Sequence, residues 1–227
     1  PYMDELTTTK INEFLNKYKD QYPQPAVEYI VNNFGKVLPL NNPDILNQVY
    51  DALGIFKDRN PYLAYLKLLE KYFDISSNIL EIGGGFYPAF ATHVRDRQLQ
   101  TRKGTITVYD KMLVTQDLPH MKLVKQDFKT QDSVAPYDLL VGILPCDATT
   151  LIIKKANEEN KNFFIVLCNC THFSRQYLMF NRPTLENWRK YIKEVFDSTK
   201  KDGDEMLVLD SPTEYTDYKV LIKKQKN

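Results

Sequence analysis

Residues 80–88 read Leu-Glu-Ile-Gly-Gly-Gly-Phe-Tyr-Pro. The short apolar run from Asn78 to Ile82 is typical of a buried strand, and consecutive glycines allow a tight turn that a ligand can approach closely. A helix is predicted to follow over residues 88–97. In open α/β sheets such a turn lies at the carboxyl end of the first strand, where ligands bind. A tight turn without a ligand would have the same sequence, and this alternative stays open.

Strands and helices alternate after residue 75. Apolar and β-branched runs predict strands at 104–110, 121–126, 137–144 and 163–168, and helical spacing predicts helices at 149–159 and 183–199. Two final strands, 205–209 and 218–222, have no helix between them. The predicted fold class is therefore α/β: a doubly wound, mainly parallel sheet with an antiparallel C-terminal hairpin at its edge, preceded by an N-terminal helical segment.

The first 74 residues have the apolar spacing of helices. This spacing predicts helical segments at 11–18, 27–34 and 44–53, and a fourth that begins near Pro61, a residue suited to a first helical turn. We divide the chain into a helical N-terminal cap at 1–74 and a Rossmann-like domain at 75–227. The cap is either a bundle buried against the main domain or a lid over a substrate pocket.

Composition places few limits on function. The 227 residues are 43% hydrophobic, enough for one α/β domain with a helical extension. A formal net charge of +1 gives no bulk electrostatic reason for a nucleic-acid or membrane partner. No apolar run reaches the roughly 20 residues that a transmembrane helix needs. An odd number of cysteines and a polar, acidic start, unlike a secretory leader, favour a cytoplasmic location.

Acidic residues follow the second and third predicted strands. A carboxylate at Asp110 would accept hydrogen bonds from both hydroxyls of a ribose. Asp127 and Phe128 follow the third strand. The alternatives are that Asp110 caps a helix and that Asp127 is an exposed residue at a strand end.

The spacing of the glycines bears on the type of ligand. A dinucleotide site needs a third glycine where this chain has Pro88, so a pyrophosphate-binding turn is disfavoured. The segment instead resembles the first motif of class I S-adenosylmethionine-dependent methyltransferases, an acidic residue followed by a glycine-rich loop, here Glu81 with Gly83 and Gly85. The resemblance extends from residue 75 to the C-terminus and implies S-adenosylmethionine as methyl donor.

The resemblance also implies a set of donor-binding residues. The glycine loop would lie behind the methionine part of the donor, Asp127 would receive the adenine amino group, and Phe128 would stack nearby. The family's usual third glycine is Tyr87 here, which implies an aromatic side chain beside the donor or a tighter pocket. The implied donor-binding residues are Glu81, Gly83, Gly84, Gly85, Tyr87, Asp110, Lys111, Asp127, Phe128 and Leu144.

The end of the fourth strand is where the resemblance places the transferred methyl group and its acceptor. Cys146 and Asp147 follow Leu144 and are the candidate catalytic residues. Asp147 would act as a general base or as the N-cap of the next helix. The segment is not of the Asn-Pro-Pro-Tyr type found in many amino-group methyltransferases, so nitrogen methylation is not indicated.

Two segments, 145–150 and 167–172, loosely resemble a methyltransferase subgroup with Cys-x-x-Ala-Thr and Cys/His runs after strands four and five. Some of its members methylate transfer RNA, so RNA is an alternative acceptor. Cys146, Cys168, Cys170 and His172 would suffice in number to bind zinc. Their close spacing and apolar surroundings favour buried cysteines without metal.

The sequence thus predicts methyl transfer from S-adenosylmethionine to an unidentified acceptor, with a small molecule favoured over RNA and no membrane partner. One alternative is a non-catalytic module of the same fold that binds the donor or a partner. Another is a nicotinamide-dependent oxidoreductase, which Pro88 disfavours.

Overall fold

The computed structural model describes residues 51, 60–85, 87–113, 118–169, 184–214 and 217–225. Within them lie four helices, α1 (Pro61–Glu70), α2 (Ala89–Thr101), α3 (Ala148–Glu158) and α4 (Leu185–Thr199). Seven strands accompany them: β1 (Asn78–Ile82), β2 (Thr105–Tyr109), β3 (Lys122–Val124), β4 (Leu139–Ile143), β5 (Asn162–Val166), β6 (Leu207–Leu209) and β7 (Val220–Lys223).

The strands form one sheet in the order β3-β2-β1-β4-β5-β7-β6. Strands β1 to β5 pair in parallel, and β7 pairs antiparallel with both β5 and β6. The chain winds outward from β1 to β3 and then starts again beside β1 with β4. A crevice therefore opens at the carboxyl ends of β1 and β4, the point where such sheets bind ligands.

The predicted α/β fold class is confirmed. The final strands form an antiparallel pair at the edge of the sheet, as expected. β7 inserts between β5 and β6, and only β6 lies at the edge. β1 has the predicted bounds, and the other strands are shorter than predicted; β3, for example, covers Lys122–Val124 instead of 121–126. After β4 and β5 the apolar pattern continues into Leu144 and into Leu167 and Cys168 at the carboxyl edge.

Of the predicted N-terminal helical segments, 11–18 and 27–34 lie outside the described residues, as does 44–53 apart from Asp51. The helix predicted from Pro61 is α1, which the Asn60 side chain caps by accepting a hydrogen bond from the Tyr62 N–H at 2.9 Å. None of the helices in the described part of the chain is both long and apolar enough to cross a membrane.

Helices cover both faces of the sheet. Alternating residues of each strand point to opposite faces, so neighbouring apolar residues of one strand enter different cores. The face that packs against α1 and α2 includes Ile79, Val108, Val141 and Phe164, with Tyr65, Leu66, Leu69, Phe90 and Val94 from the helices. The opposite face includes Leu80, Leu140, Phe163 and Ile165, with Ile152, Ile153, Trp188, Ile192 and Phe196 from α3 and α4.

Gln98 holds the amino ends of β1 and β2 together. Its side chain is 5% exposed, and its Nε2 donates to the carbonyl oxygens of Ile75, Ser77 and Thr105 at 3.0, 3.2 and 3.0 Å. The loop is tight here, because a Cβ on Gly104 would lie 2.7 Å from the Ser77 oxygen. One buried amide therefore bridges three backbone carbonyls, and the Ser77 carbonyl also accepts the Thr105 N–H at 3.3 Å.

We expect Gln98→Ala to lower the free energy of unfolding by about 2 kcal/mol, because it removes a buried amide that donates to three part-buried carbonyl groups. Urea denaturation followed by circular dichroism measures this change. Gln100→Ala, at an exposed position of the same helix, is the matched control and should stay within about 0.5 kcal/mol of the wild type. Equal losses in the two variants would contradict the role assigned to Gln98.

Candidate functional site

The glycine loop, Gly83–Gly85, leaves β1 in a conformation that favours glycine. The φ angles of Gly83 and Gly85 are +80° and +76°. The Gly83 N–H donates to the Tyr109 oxygen at 2.9 Å, which fixes the loop to the end of β2. A Cβ on Gly84 would lie 2.4 Å from Cγ1 of Val108. All three glycines are thus required by backbone conformation or by close packing.

The carboxylate of Asp110 joins the end of β2 to the glycine loop. Its Oδ2 accepts a hydrogen bond from the Gly85 N–H at 2.8 Å, and its Oδ1 accepts one from the Met112 N–H at 2.7 Å. Burial raises the pKa of Asp110, and the hydrogen bonds from Met112 and Gly85 counteract the rise. Lys111 and Met112 form a turn, so the alternative that Asp110 directly caps a helix is wrong.

Glu81 is a buried acid next to the same loop. Its side chain is 2% exposed, and its Oε2 has no hydrogen-bond partner. This oxygen would be 3.7 Å from a Cβ on Gly84. Burial first, and then the negative charge of Asp110, raise the pKa of Glu81 to about 8. A buried, unsatisfied acceptor with a raised pKa beside a glycine turn at the carboxyl edge of the sheet is typical of a functional site.

The residues after β3 form a more open part of the site. The Asp127 side chain is 65% exposed, and its Oδ2 lies 3.7 Å from Nζ of Lys111. Phe128 is buried and meets the Tyr109 ring edge-on, with centroids 5.1 Å apart. The aromatic pair forms a wall between the ends of β2 and β3. Contact of Asp127 or Phe128 with an adenine ring stays a prediction.

The end of β4 has an unusual backbone. Leu144 and Cys146 have φ angles of +52° and +50°, which are rare for residues with a Cβ. Pro145 between them packs against the glycine loop, since a Cβ on Gly83 would lie 3.3 Å from its Cα and Cβ. Two left-handed residues in such a short turn indicate backbone strain of the kind concentrated at functional sites.

Asp147 occupies the N-cap position of α3, as one of the two interpretations predicted. Its backbone is helical, however, and its side chain makes no capping hydrogen bond. The capping role is therefore wrong for the side chain. Asp147 is exposed and Cys146 is half-buried, both at the carboxyl edge of the sheet. A role in catalysis stays a prediction for each of them.

The structure also brings together residues that sequence reasoning missed. His93 in α2 has its Nε2 2.7 Å from Oδ1 of Asp51. Asn60 contacts the same carboxylate through its Nδ2. This pair lies near Tyr87, whose pKa is raised to about 12 by burial and then by the charge of Asp51. Tyr87 itself packs against the core. Asp51 and His93 are 42 positions apart in the sequence, so no local signal indicates their contact.

Asn169, after β5, is a further polar residue at the carboxyl edge. Its Nδ2 donates to Oδ1 of Asp217 at 2.7 Å, while its own Oδ1 is buried without a partner. This contact forms because β7 runs antiparallel to β5, so the residues that precede β7 lie beside the end of β5.

The predicted alternative of a zinc site involves Cys170 and His172, which lie outside the described residues. The described residues contain no cluster of three potential metal ligands.

No protein-family model matches the sequence, and no curated protein matches it. Several solved structures are similar in fold. The CurJ carbon methyltransferase aligns with a TM-score of 0.49 and 14% identity, over 95% of this chain and 70% of that chain. Human N-acetylserotonin methyltransferase, solved with S-adenosylmethionine, aligns with a TM-score of 0.47 and 13% identity, over 96% of this chain and 67% of that chain.

Coclaurine N-methyltransferase, solved with N-methylheliamine and S-adenosylhomocysteine, aligns with a TM-score of 0.44 and 14% identity, over 91% of this chain and 73% of that chain. Identities this low concern the fold alone. The sheet itself has the features that the sequence resemblance required: a glycine turn after β1, acidic residues after β2 and β3, and antiparallel final strands. The chain has a doubly wound, mainly parallel α/β fold with antiparallel final strands.

Proposed function

We propose that this chain transfers a methyl group from S-adenosylmethionine to a small-molecule acceptor. The observation that supports this most is the pair of carboxyl groups around the glycine loop. Asp110 accepts the Gly85 N–H at 2.8 Å, and Glu81 is buried beside Gly84 with one oxygen unsatisfied. Two carboxyl groups this close to one loop favour a positively charged ligand that carries hydroxyl or ammonium donors.

This arrangement is poorly suited to a dinucleotide. A pyrophosphate needs backbone N–H groups free to bind its oxygens. Here the Gly85 N–H already donates to Asp110, and Pro88 has no N–H to offer. A second acid, Glu81, lies beside the loop and would repel phosphate when ionised. These contacts argue against the nicotinamide-dependent oxidoreductase.

The described residues fit S-adenosylmethionine on two counts. The orphaned Oε2 of Glu81 offers an acceptor, and the left-handed φ angles of Gly83 and Gly85 form the turn at the carboxyl end of β1 that a donor would approach. Asp110 would hold the ribose hydroxyls, with Lys111 next to it at the edge of the site. Asp127 and Phe128 would contact the adenine, and Leu144 would line the donor site from β4.

S-adenosylmethionine supplies a methyl group bound to a positively charged sulfur. The chain's own part is mainly to align the two reactants. The strained turn from Leu144 to Cys146 would fix the wall against which the acceptor lies. Cys146 and the exposed Asp147 would touch the acceptor, with Asp147 available to accept a proton from it. An acceptor that is already nucleophilic would need no such base.

Two other functions lead to different results. A non-catalytic module would bind the donor without transferring its methyl group. An RNA methyltransferase would act on a polyanion, for which the net charge of +1 provides no general attraction. We therefore propose a small-molecule acceptor and treat RNA as the alternative outcome of the labelling experiment below.

We expect Asp110→Asn to weaken S-adenosylmethionine binding at least about tenfold, because hydrogen bonds to a charged acceptor are worth roughly 1.5–3 kcal/mol. The isosteric amide keeps the volume of the side chain and removes its charge. Isothermal titration calorimetry on the full chain measures the dissociation constant. Asp197→Asn, on the exposed surface of α4, is the matched control and should bind like the wild type.

Wild-type affinity in Asp110→Asn would contradict the ribose role of this residue. An absence of binding in the wild-type protein would overturn the donor assignment altogether.

We expect binding of S-adenosylmethionine at pH 7 to release a proton. With a pKa of about 8, Glu81 is protonated at pH 7 in the free protein. A positively charged ligand beside it favours the ionised form and lowers this pKa. Affinity should therefore rise with pH up to about 8 and then level off. Titrations at pH 7 in phosphate and in Tris, which differ in ionisation enthalpy, give the number of protons released.

Glu81→Gln is the control for this linkage, since it keeps the shape of the side chain and has no titratable proton. It should bind with the same heat in both buffers. Equal heats for the wild-type protein in phosphate and Tris would show that Glu81 does not ionise on binding.

We expect label from tritiated S-adenosylmethionine to enter the low-molecular-weight fraction of a cell extract incubated with the wild-type protein. Asp110→Asn is the negative control, with S-adenosylmethionine at a concentration below the dissociation constant of this variant. Label in RNA that ribonuclease removes would establish the RNA alternative. Donor binding without label in any fraction would favour the non-catalytic module.

A further inference from the structure

A second concave surface lies at the opposite end of β2 from the glycine loop. This groove, here named the basic groove, has a volume of about 730 Å³ and lies between the C-terminal half of α2 and the first residues of β2 and β3. Gly104–Thr107 form part of its wall. It is thus separate from the carboxyl edge, where the donor site is proposed.

The charged side chains that line the basic groove are all cationic. Arg95, Arg102, Lys103 and Lys122 contribute to it, and no Asp or Glu does. Arg95 is held by Asp96, with an Nη2 to Oδ1 distance of 3.1 Å. The other three are exposed and form no ion pair with any carboxylate in the described part of the chain. The groove therefore has at least three positive charges that are not neutralised.

Apolar side chains also line the basic groove. Leu99 is 45% exposed, one of four large hydrophobic residues exposed among those described. Met121 and the buried Ile106 lie in the same lining. Exposed apolar area enclosed by unpaired charges of one sign is typical of a protein-binding surface.

The lining favours an acidic peptide over a nucleic acid. Single-stranded nucleic acids bind by stacking bases on aromatic side chains, and no Phe, Tyr or Trp lines the groove. The exposed Leu99 would gain nothing from a phosphate backbone but would be buried by an aliphatic side chain. The neighbouring β3 ends the sheet on this side, so an extended peptide would also find an unpaired strand edge there.

We propose that the basic groove binds an acidic peptide segment of a partner protein, with its carboxylates on Arg102, Lys103 and Lys122 and an aliphatic side chain on Leu99. The groove is at the amino ends of the strands, so a bound peptide would leave the donor site accessible. The proposal does not depend on methyl transfer and would stand if the donor assignment failed.

The test uses a short fluorescein-labelled peptide of alternating Glu and Leu, with fluorescence anisotropy as the readout on the full chain. We expect binding that weakens as salt is added. The triple variant Arg102→Glu, Lys103→Glu, Lys122→Glu should bind about tenfold more weakly, because three exposed attractions become repulsions. A matched triple variant, Lys154→Glu, Lys190→Glu, Lys201→Glu, changes the net charge equally at exposed sites elsewhere and should bind like the wild type.

Leu99→Ser separates the peptide from a nucleic acid. It should weaken binding of the Glu-Leu peptide about fivefold, by loss of apolar contact, and leave binding of oligothymidylate unchanged. Circular dichroism of each variant confirms that it is folded. Tighter binding of oligothymidylate than of the peptide, equal losses in the two triple variants, or no peptide binding would each overturn the proposal.

Discussion

The hydrogen bond from the Gly85 N–H to Asp110 joins the two strands on which the candidate site depends. It connects the loop after β1 to the end of β2 at 2.8 Å and commits a backbone donor that a phosphate would otherwise use. Buried Glu81, beside Gly84, adds a second acid to the same loop. Because both groups are acceptors, the loop favours a cationic ligand with hydroxyl donors, and this preference underlies the proposed function.

The remaining elements hold this pair in place. Pairing of β1 with β2 and β4 puts the three strand ends side by side. Pro145 fits between two glycines, since a Cβ on Gly83 would approach it to 3.3 Å and one on Gly142 to 2.8 Å. This packing supports the left-handed conformations of Leu144 and Cys146, each of which costs roughly 1–3 kcal/mol. The turn at the end of β4 is thus held by packing at the place where the proposed reaction would require alignment.

Much of this architecture was predictable because its signals are local. The glycine turn, the acidic residue after β2 and the alternation of strands and helices depend on neighbouring residues. Contacts between distant segments were not predictable in this way: the pairing of His93 with Asp51, the Asn169 contact to Asp217 and the insertion of β7 between β5 and β6. The residue type of Asp147 suggested that it caps α3. Its backbone is helical, however, and its side chain makes no capping hydrogen bond. The basic groove likewise arises only when α2 and the starts of β2 and β3 come together.

The most direct test of the central claim is a crystal structure of the protein grown with S-adenosylmethionine. We predict that the ribose hydroxyls lie against Asp110 and the amino-acid part of the donor lies at Gly83–Gly85, beside Glu81. A donor bound at another site would contradict the account. In that case the Asp110 carboxylate would contact only the Gly85 and Met112 N–H groups.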